Sequence, residues 1–346
     1  LFIPSKDRLI TIEDVTEEIM IKLARHAKEV TGSKNLCLAG GVALNCVGNG
    51  KILRENIFEN IWIQPAAGDA GGSLGAAYSV YYQELDNQRS INSNEFDKMQ
   101  GAYLGPGFSN DEIKSYLDSV KAIYKFIDNE EQLVDKVSTE LASEKIIGWH
   151  HDRMEFGPRS LGHRSIIGDA RSKQMQSKMN LKVKYRESFR PFAPSVLREK
   201  VNEWYELDID SPYMLLVAPV KNEKCYQMSE EQEKLFGIEK LNIPRSEIPA
   251  VTHIDYSARI QTVHKETNPR YHKLISKFEE KTDCATIVNT SFNVRSEPIV
   301  CTPEDSYRCF MRTEMDVLVI DDFILYKDKQ PEYMDKASWQ DEFELD

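Results

Sequence analysis

The sequence has no long hydrophobic run, no excess of positive charge and no paired-cysteine motif. No apolar stretch approaches the ~20 residues of a transmembrane helix, so we expect no membrane partner. The formal net charge of -12 over 346 residues argues against nucleic-acid binding, which needs a broad basic surface. The six cysteines lack CxxC spacing, which predicts reduced thiols in a cytoplasmic protein, with neither a disulfide framework nor a zinc site.

Several other signatures are missing. The glycines fit neither a P-loop nor a GxGxxG fingerprint, and the chain contains no internal repeat. No two of its seven histidines are four residues apart, so an HxxxH metal-binding pair is absent. The sequence begins LFIPSKDRL, with neither an initiator Met nor a signal-peptide pattern. We interpret this beginning as an internal cut, which predicts a fragment of a longer protein.

The balance of charge reverses in one segment, residues 148–196. It contains ten arginines and lysines against four acidic residues, a local charge of +6. Arginine on glycine-punctuated turns suits a two-pronged grip on phosphate or carboxylate, because the guanidinium group presents parallel donors. A solvated basic face is the simpler interpretation. The interleaved phenylalanines and prolines of FRPFAPSVL are too apolar for a free surface, and we therefore predict an anion site.

The first hundred residues alternate between helical and strand patterns, which predicts an α/β fold. The predicted order begins with a helix over 13–30, which Thr11 or Thr16 could cap and Gly32 ends, and a strand at 35–39. A glycine-rich loop then leads into a helix over 42–55, and after a strand at 60–63 a second glycine-rich loop leads into another helix. The first loop contains Gly40 and Gly41, and the second contains Gly68 and Asp69. A strand-to-helix glycine turn lets a phosphate approach bare backbone N–H groups. One Gly-Gly pair is more often only a tight turn, but two such loops favour a nucleotide or metal–phosphate site.

The remainder of the chain predicts a second α/β domain. Residues 84–100 are polar and lack periodicity, as expected of a linker. Residues 221–247 are polar and acidic, which predicts an exposed insertion or lid. We place His253 and Asp255 on one face of a strand, where a structural hydrogen-bonded pair is at least as plausible as a catalytic one.

Several phrases resemble a known family. AGGVALN at 39–45 and PAAGDAGGSLGAAY at 65–78 are similar to the end of the transferase domain of O-carbamoyltransferases of the NodU/CmcH type. EFGPRSLGHRSIIGDAR, KYRESFRPFAPSVL, HIDYSARIQTV and NTSFN resemble the YrdC-like domain of that family. The resemblance implies an actin-like ATPase-fold segment over 1–95 and a YrdC-like twisted-sheet domain over 96–346.

The implied chemistry has two steps. A YrdC-like domain uses carbamoyl phosphate and ATP with Mg²⁺ to make carbamoyl adenylate, and the actin-like domain passes the carbamoyl group to a hydroxyl of a small sugar-like acceptor. The resemblance implies that Lys184, Arg186, Ser291 and Asn293 bind the nucleotide, with Gly40, Gly41 and Gly68 as further backbone contacts. The candidates for the reacting groups are Arg153, Arg159, His163, Arg164 and Arg190.

The resemblance also implies a transition metal such as iron in the transferase domain, held by an HxxxH pair and aspartates. Only Asp69 of that set is found in this sequence, so we expect an incomplete metal site and a missing N-terminal half of the same polypeptide as partner. Two alternatives remain open. One is a threonylcarbamoyl-adenylate synthase of tRNA modification, and the other is a nucleotide-binding module without turnover. A sugar kinase of the actin-like superfamily leaves the arginine-rich half unexplained.

Overall fold

The computed structural model describes residues 3–5, 8–90, 97–235 and 237–332. Within them the chain forms two compact units. Unit 1 comprises residues 1–98 with 156–158 and 215–217, and unit 2 comprises 99–155, 159–214 and 218–346. The predicted boundary at 95/96 falls within residues 91–96, which are outside the described residues. The same residues form part of the predicted linker over 84–100.

Unit 1 is built from small sheets and three helices. Strands β1 (Ile3–Ser5) and β2 (Arg8–Ile10) pair antiparallel, and β3 (Asn35–Leu38) pairs parallel with β4 (Asn60–Ile63). The helices are α1 (Ile12–Thr31), α2 (Cys46–Arg54) and α3 (Asp69–Ser79). Met20, Ala24, Ile52 and Phe58 form its apolar core. None of the described helices is both long and apolar enough to cross a membrane.

Unit 2 surrounds a nine-stranded mixed sheet with the order β5-β13-β12-β6-β7-β11-β8-β10-β9. Its strands are β5 (Tyr124–Phe126), β6 (Ile147–His150), β7 (Arg164–Asp169), β8 (Ala193–Leu197), β9 (Leu216–Pro219), β10 (Ser257–Val263), β11 (Thr286–Ser291), β12 (Val317–Ile320) and β13 (Phe323–Tyr326). Its helices are α4 (Asn110–Ser119), α5 (Glu130–Ala142), α6 (Met175–Lys182), α7 (Val201–Trp204), α8 (Glu230–Glu233), α9 (Ile238–Leu241), α10 (Pro269–Thr282) and α11 (Pro303–Arg312). The predicted α/β class is confirmed.

The core of unit 2 follows from the spacing of apolar residues on the helices and strands. Helices α5 and α10 contact each other and bury residues at helical spacing, among them Leu133 and Val137 on α5 and Leu274 and Phe278 on α10. Every residue of the interior strands β6, β7 and β8 is buried. Such strands are covered on both faces, so side chains at the strand ends are held by a rigid support.

Local signals predicted both ends of α1 but not the start of α2. Thr11 caps α1 through a capping box with Asp14, and Gly32 ends the helix at φ 63°. The predicted helix after Gly41 is shorter than expected: Gly41–Leu44 form a 3₁₀ turn and α2 begins at Cys46, because the Asn45 side chain accepts from the N–H groups of Val47 and Gly48.

One sequence interpretation is wrong. His253 and Asp255 do not lie on a strand: they precede β10 in a turn where Tyr256 has φ 63°. The Asp255 carboxylate accepts from both the N–H and the hydroxyl of Ser257, and that hydroxyl lies 3.2 Å from His253 Nδ1. The pair is therefore joined through Ser257 as part of the turn.

Gly162 marks a close approach between backbone and side chain. It has φ 105°, and a Cβ at this position would lie 2.4 Å from Cδ1 of Tyr271. That ring is fully buried, and its hydroxyl lies 3.1 Å from Ser195 Oγ, so the ring has little room to move.

We predict that Gly162→Ala lowers the free energy of unfolding by about 2–5 kcal/mol, from backbone strain and overpacking together. Chemical denaturation followed by circular dichroism measures this loss. Gly72→Ala is the control, because a Cβ on this helical residue would meet nothing within 4 Å. An equal loss in both variants would contradict the close approach.

Candidate functional site

Lys184 lies at the centre of the strongest polar cluster that the structure brings together from the predicted residues. Its side chain is 4% exposed, and Nζ donates to two oxygens of Ser291 and two of Asn293. The distances are 2.6 Å to Asn293 Oδ1, 2.9 Å to Asn293 O and 3.2 Å to Ser291 Oγ. Lys184 thus meets two residues that lie more than a hundred positions further along the sequence.

Two local features place these side chains. Ser291 is the last residue of β11, and the fully buried ring of Phe292 anchors the chain just beyond it. Lys184 follows α6, and its N–H donates to the carbonyl of Met179. Tyr185 then adopts φ 47° and its hydroxyl donates to the carbonyl of Arg312. This left-handed residue turns the backbone between Lys184 and Arg186.

A group of three arginines lies beside the Lys184 cluster. Arg186 Nε donates to Asn180 Oδ1 at 2.7 Å, and its guanidinium stacks over the ring of Phe192. Burial lowers the pKa of Arg186 to about 10, with further lowering by Arg190 and Arg259. Arg190 is paired with Glu187 at 2.8 Å. Cations that raise each other's electrostatic energy in this way favour the approach of a polyanion.

Burial has the same effect on Lys184. It lowers the pKa of the ammonium group to about 7, helped by the charge of Arg186 and opposed by Cys309 and Glu297. The oxygen atoms around Nζ all accept hydrogen bonds, which favours the protonated form. A phosphate group at this position would favour it further.

Two of the predicted arginines donate their hydrogen bonds to backbone carbonyls. Arg164 is fully buried, and its guanidinium donates to the carbonyls of His151, Asp152 and Cys301 at 2.9, 3.0 and 3.1 Å. Arg153 donates to the carbonyls of Leu104 and Gly105 at 2.8 Å each. Arg159 is partly buried in the loop before β7. A role for these residues at the reacting groups stays a prediction.

His163 lies in the interior of unit 2. It is 3% exposed, stacks on Tyr103 with ring centroids 3.7 Å apart, and its Nδ1 lies 2.6 Å from the carbonyl of Arg153. Nδ1 therefore carries a proton that it donates to this carbonyl. Burial, and then the charge of His151, hold the pKa of His163 well below its usual value. A neutral ring in this tautomer offers Nε2 as an acceptor, which favours a base over an acid.

The glycine loops of unit 1 form a separate cavity of about 630 Å³. Gly40, Gly41, Gly68 and Asp69 all line it. Gly40 has φ 93°, and Asp69 is the exposed first residue of α3, whose N-cap Gly68 provides no side-chain cap. The N–H groups of Asp69 and Ala70 in this first turn are thus open to an anion, whereas the N–H of Gly71 donates to the carbonyl of Gly68.

A resident metal finds little support around Asp69. Among the residues that the structure describes, no group of three or more His, Cys, Asp or Glu side chains could hold a metal ion. A single carboxylate does not provide the donor set that a transition metal requires. The described residues therefore do not fit a complete metal site, and no reaction step is assigned to one.

Two residues near the cluster have no role in the sequence-based prediction. Arg259, on β10, is close enough to Arg186 to lower its pKa, and Glu297 lies beside Asn293. Arg259 is followed on its strand by four buried residues, so a cation there was a signal of a functional position. Glu297 gives no such signal, because an acidic residue before proline is ordinary in a surface turn.

The geometry defines an α/β protein with a buried lysine and a group of arginines beside it. Two family models cover the chain: the carbamoyltransferase C-terminus matches residues 138–327 and the carbamoyltransferase N-terminus matches residues 3–78. The chain belongs to the carbamoyltransferase family, and the resemblance found in the sequence motifs is confirmed.

Relatives agree with this assignment. An uncharacterized protein of Synechocystis is 60% identical over 98% of this chain and 55% of its own length. The nodulation protein NolNO of Sinorhizobium fredii is 37% identical over 93% of this chain and 44% of its own length. The chain thus spans about half the length of these relatives. Full-length HypF in its phosphate- and nucleotide-bound form covers 62% of this chain and 23% of its own at 16% identity, and its TM-score of 0.36 supports no argument.

The lowered pKa of Lys184 predicts a pH-dependent affinity for polyphosphate. A lysine with a free-state pKa of about 7 must take up a proton to bind above that pH, so the affinity for Mg²⁺–ATP falls by about fivefold from pH 7 to pH 8. Calorimetric titration at several pH values measures this fall.

Lys184→Arg is the matched variant, because a guanidinium stays protonated throughout this range. Dividing the ATP affinity of one protein by that of the other at each pH cancels the effect of the ionisation of ATP itself. A ratio that does not change with pH would show that Lys184 does not titrate on binding.

Proposed function

We propose that unit 2 forms carbamoyl adenylate from ATP and carbamoyl phosphate, and that the longer protein transfers the carbamoyl group to a hydroxyl of a small acceptor. The observation that carries this proposal is the cluster of Lys184, Ser291 and Asn293 beside the arginines of the 186–190 loop and β10. Membership of the carbamoyltransferase family supports the class of group transferred.

The proposed chemistry begins with cleavage of carbamoyl phosphate by water into carbamate and phosphate. A carbamate oxygen then attacks the α-phosphorus of ATP, and the bond to pyrophosphate breaks. Negative charge grows on the bridging oxygen and on the non-bridging oxygens, so catalysis depends on positioning and on fixed cations. Mg²⁺ bound with the nucleotide supplies additional positive charge.

The residues of the cluster have distinct tasks in this proposal. Lys184 provides a buried ammonium whose position is fixed by Ser291 and Asn293. Arg186 and Arg259 provide a second centre of positive charge, suited to the departing pyrophosphate. A cation in a site sheltered from water stabilises developing charge more strongly than one at the surface, which favours Lys184 for the contact nearest the reacting phosphate.

The fused unit 1 favours a small-molecule carbamoyltransferase over an enzyme of tRNA modification. Its glycine-lined cavity lies at a helix N-terminus, where an anionic group of a carbamoyl adenylate would be stabilised. Unit 2 would then make the intermediate and unit 1 would contribute to the place where it is consumed.

Pyrophosphate release tests the proposal. We expect the purified chain to release pyrophosphate from Mg²⁺–ATP only when carbamoyl phosphate is present. Lys184→Met lowers this rate by about 10- to 100-fold, because a phosphate oxygen would replace one of the protein oxygens around Nζ and one charge-assisted hydrogen bond contributes roughly 1.5–3 kcal/mol. Thermal unfolding of the variant shows that it remains folded.

Lys182→Met is the matched control, since its exposed ammonium pairs with Glu314 at 2.6 Å outside the cluster. Release that requires threonine and bicarbonate would instead identify a threonylcarbamoyl-adenylate synthase. Tight ATP binding without release, even after the remainder of the longer protein is added, would identify a binding module.

A further inference from the structure

The turn after β11 is closed by two hydrogen bonds that one buried acidic residue, Glu297, accepts. Its side chain is 6% exposed. Its backbone carbonyl accepts from Asn293 Nδ2 at 2.6 Å, and its carboxylate Oε2 accepts from the N–H of Val294 at 2.8 Å. Ser296 completes the reversal with φ 62°. These contacts fix the segment that presents Asn293 to the cluster.

The first contact determines which way the Asn293 amide faces. Asn293 Nδ2 donates to the backbone carbonyl of Glu297. The amide oxygen must therefore point to the opposite side, where it accepts from Lys184 Nζ at 2.6 Å and from Ser291 Oγ at 2.7 Å. A rotated amide would present two hydrogen atoms to the ammonium group of Lys184 and would repel it. Glu297 therefore acts on Lys184 through Asn293.

The charge of Glu297 acts in the same direction. Facing its carboxylate are Cys309, which hydrogen-bonds to it, and the cations Arg308 and Arg312, all from α11. Burial raises the pKa of Glu297, whereas the Val294 N–H and these three groups oppose that rise. Lys184 is faced by Cys309, Arg186 and Glu297, and the negative charge of Glu297 favours its ammonium form.

We propose that Glu297 is a positioning residue of the nucleotide site: it orients the Asn293 amide and provides the negative charge that keeps Lys184 protonated. Lys184 can then meet phosphate above neutral pH. This inference rests on the proposed function, since it presumes that the ligand of Lys184 is a nucleotide phosphate.

Two measurements on the full chain test it. The first follows the titration of the Lys184 side chain without ligand, by NMR of ¹³C-labelled lysine, with Lys184→Arg to assign the signal. In Glu297→Gln the midpoint falls by about one pH unit, because glutamine keeps an oxygen for the Val294 N–H but lacks the charge. Glu304→Gln is the matched control, since Glu304 is exposed on the first turn of α11.

The second measurement is calorimetric titration with Mg²⁺–ATP at pH 6 and pH 8. We expect Glu297→Gln to bind within about twofold of the parent at pH 6 and about tenfold more weakly at pH 8. A variant that had only lost stability would weaken equally at both pH values. Glu297→Ala removes the acceptor for Val294 as well, and it should weaken binding at both.

The outcomes separate the two proposals. An unchanged Lys184 midpoint in Glu297→Gln, or equal ATP affinity in this variant and the parent at both pH values, overturns the role of Glu297. If the Lys184 midpoint shifts in Glu297→Gln but the parent protein does not bind ATP, the role of Glu297 at Lys184 is supported and the nucleotide assignment is overturned.

Discussion

The candidate site depends on keeping one ammonium group out of water. A buried cation is costly unless oxygen atoms replace its hydration shell, and the acceptors around Lys184 come from Ser291 and Asn293 at the end of β11. The turn after α6, the left-handed Tyr185 and the bend from Asn293 to Glu297 all serve to bring these oxygens to Nζ. Each of these features is a local departure from regular structure that the sheet beneath it can support.

The same requirement explains where the arginines of the basic segment go. Arg164 and Arg153 are surrounded by backbone carbonyls, because loops that connect buried strands leave carbonyl groups without strand partners and a guanidinium can serve several at once. Arg186, Arg190 and Arg259 keep their charge closer to one another. The local excess of positive charge is thus divided between cations that hold loops and cations that lie close to one another.

The sequence predicted those parts of the molecule that depend on local pattern. The ends of α1, the α/β order and the positions of the glycine loops followed from capping residues and periodicity, and the motif resemblance grouped Lys184 with Ser291 and Asn293. Strands β7 and β8 were not predicted, because their charged or proline-containing flanks hide buried residues within the basic segment. The wrong placement of His253 and Asp255 arose because alternation continued across a turn that Ser257 stabilises.

Partners of buried polar groups were beyond sequence reasoning. A basic residue in a list of arginines has the same charge whether it meets a phosphate or a carbonyl, so Arg164 and Arg186 could not be distinguished. Glu297 was missed for the same reason, since its task is defined by a carbonyl and an N–H of its own turn. Only the three-dimensional arrangement shows which side chains act on Lys184.

Strand β11 hydrogen-bonds to β7 on one side and to β8 on the other, antiparallel in both cases. Ser291 itself pairs with Ser165 on β7, and Asn289, two residues before it, belongs to both ladders. Local opening at the end of β11 therefore disturbs the interior of the sheet. The conformational entropy of Ser291 is accordingly lost when the protein folds and not when a ligand arrives. A ligand at this cluster would meet a surface already in its binding geometry, and exchange of the amide protons that surround it would be governed by unfolding of the sheet as a whole.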